Sequence, residues 1–207
     1  MIRSGESVAG IVLAAGESTR LGRPKQLLPA GGGTLLERIL DEALRSDLDE
    51  VILVLGHLFE DIRAVLGQVL EHPKLKVIQN RQYKQGISSS IIAGLSEVEE
   101  SHDHVMILLA DMPHIDANLI DLLVRRYIDS RLPLGAIKLK TKRTHPVIFS
   151  RKLFHELHNL KGDVGARDLF KKYADQVCLV EPEGFYDDRD IDTPEDHTKY
   201  RKTFEKG

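Results

Sequence analysis

The sequence predicts an α/β protein with three layers. An open, mostly parallel sheet is expected to carry a Rossmann-like nucleotide-binding half, with a smaller C-terminal lobe on the same sheet. Three observations lead there. Fully apolar runs at 8–14 (VAGIVLA), 51–55 (VILVL) and 105–110 (VMILLA) recur between segments with helical spacing. Strands without polar alternation are buried on both faces, as in a parallel sheet flanked by helices. The residues just past each run are rich in glycine or charge, and open α/β sheets bind ligands at those strand ends.

The elements follow in order. After the strand at 8–14, residues 35–45 carry apolar positions at Leu35, Leu36, Ile39, Leu40, Ala43 and Leu44, a helical stripe. A strand at 51–55 stops at Gly56. A helix over 59–70 is expected from Phe59, Ile62, Val65, Leu66, Val69 and Leu70. Residues 75–78 read as a short strand, and 88–98 as a helix capped by Ser88. The strand at 105–110 is followed by a helix over 118–127, with Asp116 suited to cap it. Strands at 134–139 and 147–149 flank a basic stretch from Lys138 to Arg143. Helices at 152–158 and 165–173 and a strand at 177–180 come next. A closing helix over 193–204 has Thr193 as cap and Pro194 at its first position. No repeat, low-complexity segment or linker is visible. One domain over 1–207 is expected, with 1–115 as nucleotide-binding half and 116–207 as acceptor-binding half.

Composition narrows the function. Hydrophobic residues make up 42% of the chain, too many for a disordered one. A net charge of −3 argues against a protein that coats nucleic acid. One cysteine, Cys178, excludes an internal disulfide and a cysteine-rich metal site. No apolar run approaches the roughly 20 residues that span a bilayer. The opening MIRSGESVAG lacks the apolar core of a signal peptide. The expectation is a cytoplasmic protein with neither nucleic-acid nor membrane partners.

The loop from Ala14 to Lys25 (AAGESTRLGRPK) carries the strongest signal. Small residues let the backbone approach an anion, and successive N–H groups can cradle it. Arg20, Arg23 and Lys25 add positive charge, opposed only by Glu17. A triphosphate fits this composition, and a solvated surface turn is the plainer alternative. A Walker A loop is excluded, because five residues separate Gly16 and Gly22 and Lys25 comes three later. A dinucleotide G-x-G-x-x-G is absent too.

Here the chain resembles a known family. VLAAGESTRLGRPKQLLP is similar to the signature of molybdenum-cofactor nucleotidyltransferases, the MobA-like NTP transferase domains. The resemblance continues in Asn80–Ile91 with Gly94-Leu95, in Leu109–Pro113, in His145-Pro146-Val147, in Gly162–Arg167 and in Asp190–Glu195. Six motifs in the same order are specific. Ala14-Ala15-Gly16 resembles the cytidylyltransferase branch, which includes relatives serving purine-degrading hydroxylases, where guanylyltransferases usually show A-G-G. Thr144 departs from the pattern, since many relatives have glycine before His-Pro.

The resemblance implies transfer of CMP from CTP to the phosphate of a molybdopterin-type cofactor, with a molybdenum hydroxylase as a candidate recipient of the product. The same-fold alternatives are a transferase using GTP and one loading a sugar or polyol phosphate. A non-catalytic nucleotide-binding regulator is the alternative from another class. An ionised phosphate is already a nucleophile, so positioning and charge stabilisation do the work. Lys25, Arg20 and Asp111 are the catalytic candidates. Leu13, Ala14, Ala15, Gly16, Glu17, Ser18, Lys25, Gly56, Asn80, Gly86 and Ser89 are expected around the nucleotide, with Asn80 reading the base. Asp111 and Asp192 would hold Mg²⁺, or Mn²⁺ in its place. Turn or cap roles are the plainer readings of these two aspartates. His145 and Arg167 are expected to meet the acceptor, with an Arg167 brace to Asp163 or Asp168 as the alternative. His102 and His104 read as a solvated strand start, and Cys178 as core.

Overall fold

The computed structural model describes residues 5–18 and 21–204. In chain order the strands are β1 (Val8–Ala14), β2 (Pro29–Ala30), β3 (Gly33–Thr34), β4 (Glu50–Leu55), β5 (Leu75–Gln79), β6 (His104–Leu109), β7 (Leu134–Leu139), β8 (Lys142–Ser150) and β9 (Val177–Val180). The helices are α1 (Leu35–Arg45), α2 (Phe59–Leu66), α3 (Ile87–Leu95), α4 (Ala117–Ser130), α5 (Phe154–His158), α6 (Arg167–Lys172) and α7 (Pro194–Phe204). Seven strands form one sheet in the order β5-β4-β1-β6-β8-β7-β9. Only β8 runs against its neighbours, so the sheet is mixed but mostly parallel, as the apolar runs predict.

Alternation along β1 shows how the layers are built. Val8, Val12 and Ala14 face one core, with Leu36 and Leu40 of α1, Ile62 of α2 and Leu123 of α4. Ala9, Ile11 and Leu13 face the other, with Ile91 of α3, Leu157 of α5 and Phe170 of α6. Both faces of β1 are therefore dry, and each fully buried Leu, Ile or Val contributes roughly 1.5–3 kcal/mol. At Gly94 a Cβ would lie 2.5 Å from Ile11 Cγ2, so α3 sits closer to β1 than any side-chain-bearing residue permits.

The caps act locally as their residue types predict. Thr34 and Glu37 form a reciprocal capping box on α1. Asp116 accepts the Leu119 N–H at 2.8 Å, and Thr193 accepts the Asp196 N–H at 3.2 Å. Three readings need correction. The expected helix over 59–70 ends at Leu66, because Gly67 turns to φ +49° and a 3-10 turn follows. Ser88 does not cap α3, since Gly86 takes the cap position and the Ser88 side chain is buried inside the first turn. His102 and His104 are buried rather than solvated, at 7% and 9% exposure. The β2–β3 hairpin, turning on Gly31-Gly32 at φ +60° and +97°, has no counterpart in the sequence reading. Among the described residues no helix is long and apolar enough to cross a membrane.

Candidate active site

The C-terminal ends of β1, β4, β5 and β6 open onto one cleft. The loop after β1 is fastened from behind by Gln26, which is buried at 2% exposure. Its side-chain amide donates to the carbonyls of Ala14 at 2.8 Å and Gly16 at 3.0 Å. Ser18, at φ +55°, accepts the Lys25 N–H on its Oγ at 3.0 Å. Among the described residues the N–H groups of Gly16, Glu17 and Ser18 donate to nothing. Pinned carbonyls and unused N–H groups are the makings of an anion cradle. Glu17, the opposing charge in the loop, is drawn aside to Lys84 at 3.6 Å and the Tyr83 hydroxyl at 3.3 Å. Arg20 lies outside the described residues.

Lys25 begins the turn after this loop, and the buried Gln26 and Leu28 that follow anchor it. Its ammonium donates to Asp111 and to Asp192 Oδ1, the latter at 3.0 Å. Burial opposes that charge, but the two carboxylates outweigh burial and raise the lysine above its ordinary value. The carboxylates meet because the Ile191 N–H bonds the Asp111 carbonyl at 2.9 Å. Ile191 is buried at 2% exposure, and its neighbours Asp190 and Asp192 turn the other way, toward Asp111. One oxygen from each of Asp111, Asp190 and Asp192 lies within 4.8 Å of the others. Burial, and then the neighbouring Asp192 and Asp111, push Asp190 above the usual carboxylate range. Three carboxylates and no nitrogen or sulfur donor suit a hard divalent cation, and the lysine ammonium already answers their charge. Asp192 is not the cap of α7, since Thr193 holds that place. Asp190 is a third member: it alternates with Asp192 along the chain, and in an extended segment that spacing puts the two carboxylates on one face.

Other expected nucleotide residues act on the loops themselves. Leu13 sits in the core and its carbonyl accepts the Ala110 N–H at 3.2 Å. Asn80 does not present a free base-reading edge. Its amide donates to Ser89 Oγ at 2.8 Å and Ser90 Oγ at 3.0 Å, and its oxygen accepts the Gln82 N–H at 2.8 Å. Ser89 is engaged as well, donating to the Gly86 carbonyl at 2.8 Å. A Cβ at Gly56 would stand 2.8 Å from the Ala15 carbonyl and 2.7 Å from Tyr83 Cβ, so this glycine lets two loops touch. Gly86 is at φ +99°, and a Cβ there would lie 2.4 Å from the Gly162 carbonyl carbon. The Ser88 N–H reaches the Gly162 carbonyl at 3.1 Å, and the Ile87 N–H reaches Asp163 Oδ1 at 3.1 Å. The two halves of the molecule are stitched together there.

Beyond the triad lies a cavity of about 320 Å³, lined by Leu109, Met112, Arg143, His145, Arg167 and Asp190 among others. Arg167 braces neither aspartate. Asp163 receives the Ile87 N–H at 3.1 Å and Asp168 pairs with Lys171 at 2.9 Å. Arg143 ends the basic stretch that the sequence offers either as a solvated face or as a contact for an anionic acceptor; it lines this cavity and stacks its guanidinium 4.0 Å over the Phe170 ring. Burial and the nearby Arg167 hold Arg143 below its ordinary value. Neither arginine forms an ion pair among the described residues. His145 has a buried Nδ1 without a partner among the described residues. Burial holds its imidazole below the ordinary histidine value, so the ring is neutral near pH 7.

An anion-cradling loop, a lysine among strand-end carboxylates and an adjoining cationic cavity together define a nucleotidyltransferase cleft. The chain belongs to the MobA-like NTP transferase domain family, whose pattern it matches over residues 10–177. Purine catabolism protein PucB of Bacillus subtilis (strain 168) is 33% identical over 205 residues, covering 93% of this chain and 95% of that one. Nicotine blue oxidoreductase of Paenarthrobacter nicotinovorans is 29% identical over 195 residues, covering 91% and 93%. Among solved structures, the manganese complex of Rv0371c from Mycobacterium tuberculosis H37Rv superposes with a TM-score of 0.77. It is 29% identical and covers 95% of this chain and 99% of that one.

Proposed function

We propose that this protein transfers CMP from CTP to the phosphate of a molybdopterin-type cofactor. The observation that carries the reading is Lys25, held between Asp111 and Asp192 at the threshold of the arginine-lined cavity. An acceptor phosphate oxygen attacks the α-phosphorus of CTP. The bond from that phosphorus to the α,β-bridging oxygen breaks, and pyrophosphate leaves. No proton need be removed from the nucleophile.

In this reading the N–H groups of Ala15–Ser18 hold the triphosphate, and Lys25, with Arg20, offsets charge on the α-phosphate and the departing pyrophosphate. Asp111 and Asp192, joined by Asp190, would hold Mg²⁺ or Mn²⁺, which would supply further charge neutralisation at the triphosphate. Gly56, Gly86, Asn80 and Ser89 set the shape of the nucleotide pocket rather than reading the base edge. Arg143 and Arg167 receive the anionic acceptor, with His145 on the lining of the same cavity. The two halves work as one domain, and a molybdenum hydroxylase is the expected recipient of the product. Preference for CTP rests on Ala15, where guanylyl-transferring relatives usually have glycine.

The test is incubation of the protein with Mg²⁺, a phosphorylated pterin acceptor and each NTP in turn, with pyrophosphate release as readout. CTP is expected to give the fastest release. A parallel assay follows NADPH oxidation, since one relative bears an oxidoreductase name. Reduction without pyrophosphate release would replace the transferase reading.

A further inference from the structure

The transfer site occupies the C-terminal edge of the parallel strands. At the opposite edge, where β6 begins and β8 ends, lies a second open cavity of about 590 Å³. The six residues of β6 put it about 20 Å from Asp111. Its floor follows from strand register. His104 opens β6 directly opposite Ser150 at the end of β8, and the last turn of α4 places Tyr127 and Ile128 over them.

His104 is 9% exposed, and its Nδ1 lies 3.0 Å from the hydroxyl of Tyr127, itself 1% exposed. Burial keeps that phenol protonated. The direction of that contact follows the tautomer, and the tautomer in which the phenol donates to Nδ1 is the one that puts the ring hydrogen on Nε2. Nε2 is buried and has no hydrogen-bond partner among the described residues. The nearest carboxylate, Glu6 Oε1, is 3.9 Å away, beyond hydrogen-bond reach. Two cations, Arg131 and Lys152, stand on the lining, and neither has an ion pair among the described residues. The remaining wall is Ile128, Leu132 and Pro133, with Ser150 beside His104, whose buried Oγ also has no hydrogen-bond partner among the described residues. A buried donor without a partner is costly, and an apolar cavity with a few convergent polar groups is the usual form of a small-molecule site.

We propose that this cavity binds a small carboxylate with an apolar body. The carboxylate accepts from His104 Nε2 and faces Arg131 and Lys152, while the body packs on Ile128, Leu132 and Pro133. Glu6 opposes the ligand by like charge. None of these residues belongs to the transfer site, so the inference is independent of the nucleotide reading.

Benzoate is the probe, with benzamide as its neutral isostere and inorganic phosphate as a charge without a body. Binding to the full chain is read by calorimetry and by the shift in Tm. Benzoate is expected to bind saturably, with benzamide and phosphate each about tenfold weaker or more. His104→Asn can keep a polar atom toward Tyr127 but deletes Nε2, and it should weaken benzoate about tenfold. Arg131→Gln should weaken it as well, whereas Glu6→Gln should tighten it. Arg167→Ala, in the other cationic cavity, should leave it unchanged. Equal binding of benzoate and benzamide, phosphate binding as tight as benzoate, or loss of binding in Arg167→Ala would overturn the proposal. If His104→Asn fails to fold, the opposite signs expected at Arg131 and Glu6 decide the matter, and unchanged binding in both would sink it.

Discussion

The two walls of the cleft manage polarity in opposite ways. On the nucleotide wall, side chains satisfy one another: Gln26 ties the loop after β1, Asn80 ties Ser89 and Ser90, and Glu17 is drawn off to Lys84. What remains unused there is backbone N–H. On the acceptor wall the groups without an ion-pair or hydrogen-bond partner among the described residues are side chains, the guanidiniums of Arg143 and Arg167 and the buried Nδ1 of His145. Under the proposed function, the contrast divides the two substrates between the walls. A triphosphate common to every NTP suits a preorganised backbone, whose geometry needs no side-chain ordering on binding. An anionic acceptor suits side chains, whose charged ends match it directly. Lys25 and the aspartates stand where the walls meet.

The largest expected effect falls on that junction. Lys25→Ala should lower kcat by roughly 10²–10³, the scale of one lost electrostatic stabiliser. Pyrophosphate release measures it, and wild-type turnover would remove Lys25 from the mechanism.

The seam between the walls comes next. Gly86→Ala places a Cβ against Gly162 in a backbone conformation that disfavours side chains. A loss of about 1–3 kcal/mol in unfolding free energy is expected, together with weaker use of both substrates. Denaturant melts check the first part. An unchanged melt would mean that the two walls are not coupled through this contact.

Arg167→Ala sharpens the comparison most. The acceptor KM should rise about tenfold, the lower end for a charge-assisted hydrogen bond, with CTP affinity nearly unchanged. Arg143→Ala should do the same. Equal loss of CTP affinity in either variant would make the arginines part of the nucleotide wall.

The smallest effect is on stability against pH. His104, His114 and His145 are all held below the ordinary histidine value by burial. Between the folded and unfolded values the unfolded chain binds more protons, so stability falls as pH drops below about 6.5 and is fully present above it. Tm measured from pH 8 downward checks this, and a Tm that rises on acidification would contradict it.

Much of this arrangement was legible from residue type and spacing. The apolar runs gave the sheet, the caps at Asp116 and Thr193 acted as expected, and the strand-end rule directed attention to Lys25 and Asp111. What escaped was nonlocal. Asp190 joins the triad because the Ile191 N–H reaches the Asp111 carbonyl across 80 positions of sequence, a hydrogen bond no local pattern announces. The basic run ending at Arg143 was legible as a contact for an anionic acceptor, but which of its charges turns into the cavity depends on the stack on Phe170, a contact remote in sequence. Asn80 has the chemistry of a base reader, and only the placement of Ser89 and Ser90 shows its amide to be taken. The break at Gly67 and the Gly31-Gly32 turn had local signals, since glycine punctuates helices and hairpins, and were within reach of a sequence reading.

The proposed function is transfer of a cytidylyl group. The direct measurement supplies the protein with Mg²⁺, a phosphorylated pterin acceptor and equal CTP and GTP, labelled on the α-phosphate of each in turn. Label from CTP should appear in the acceptor as CMP, with little from GTP. Predominant label from GTP, or label that stays in both nucleotides while the protein is folded and binds CTP, would contradict it.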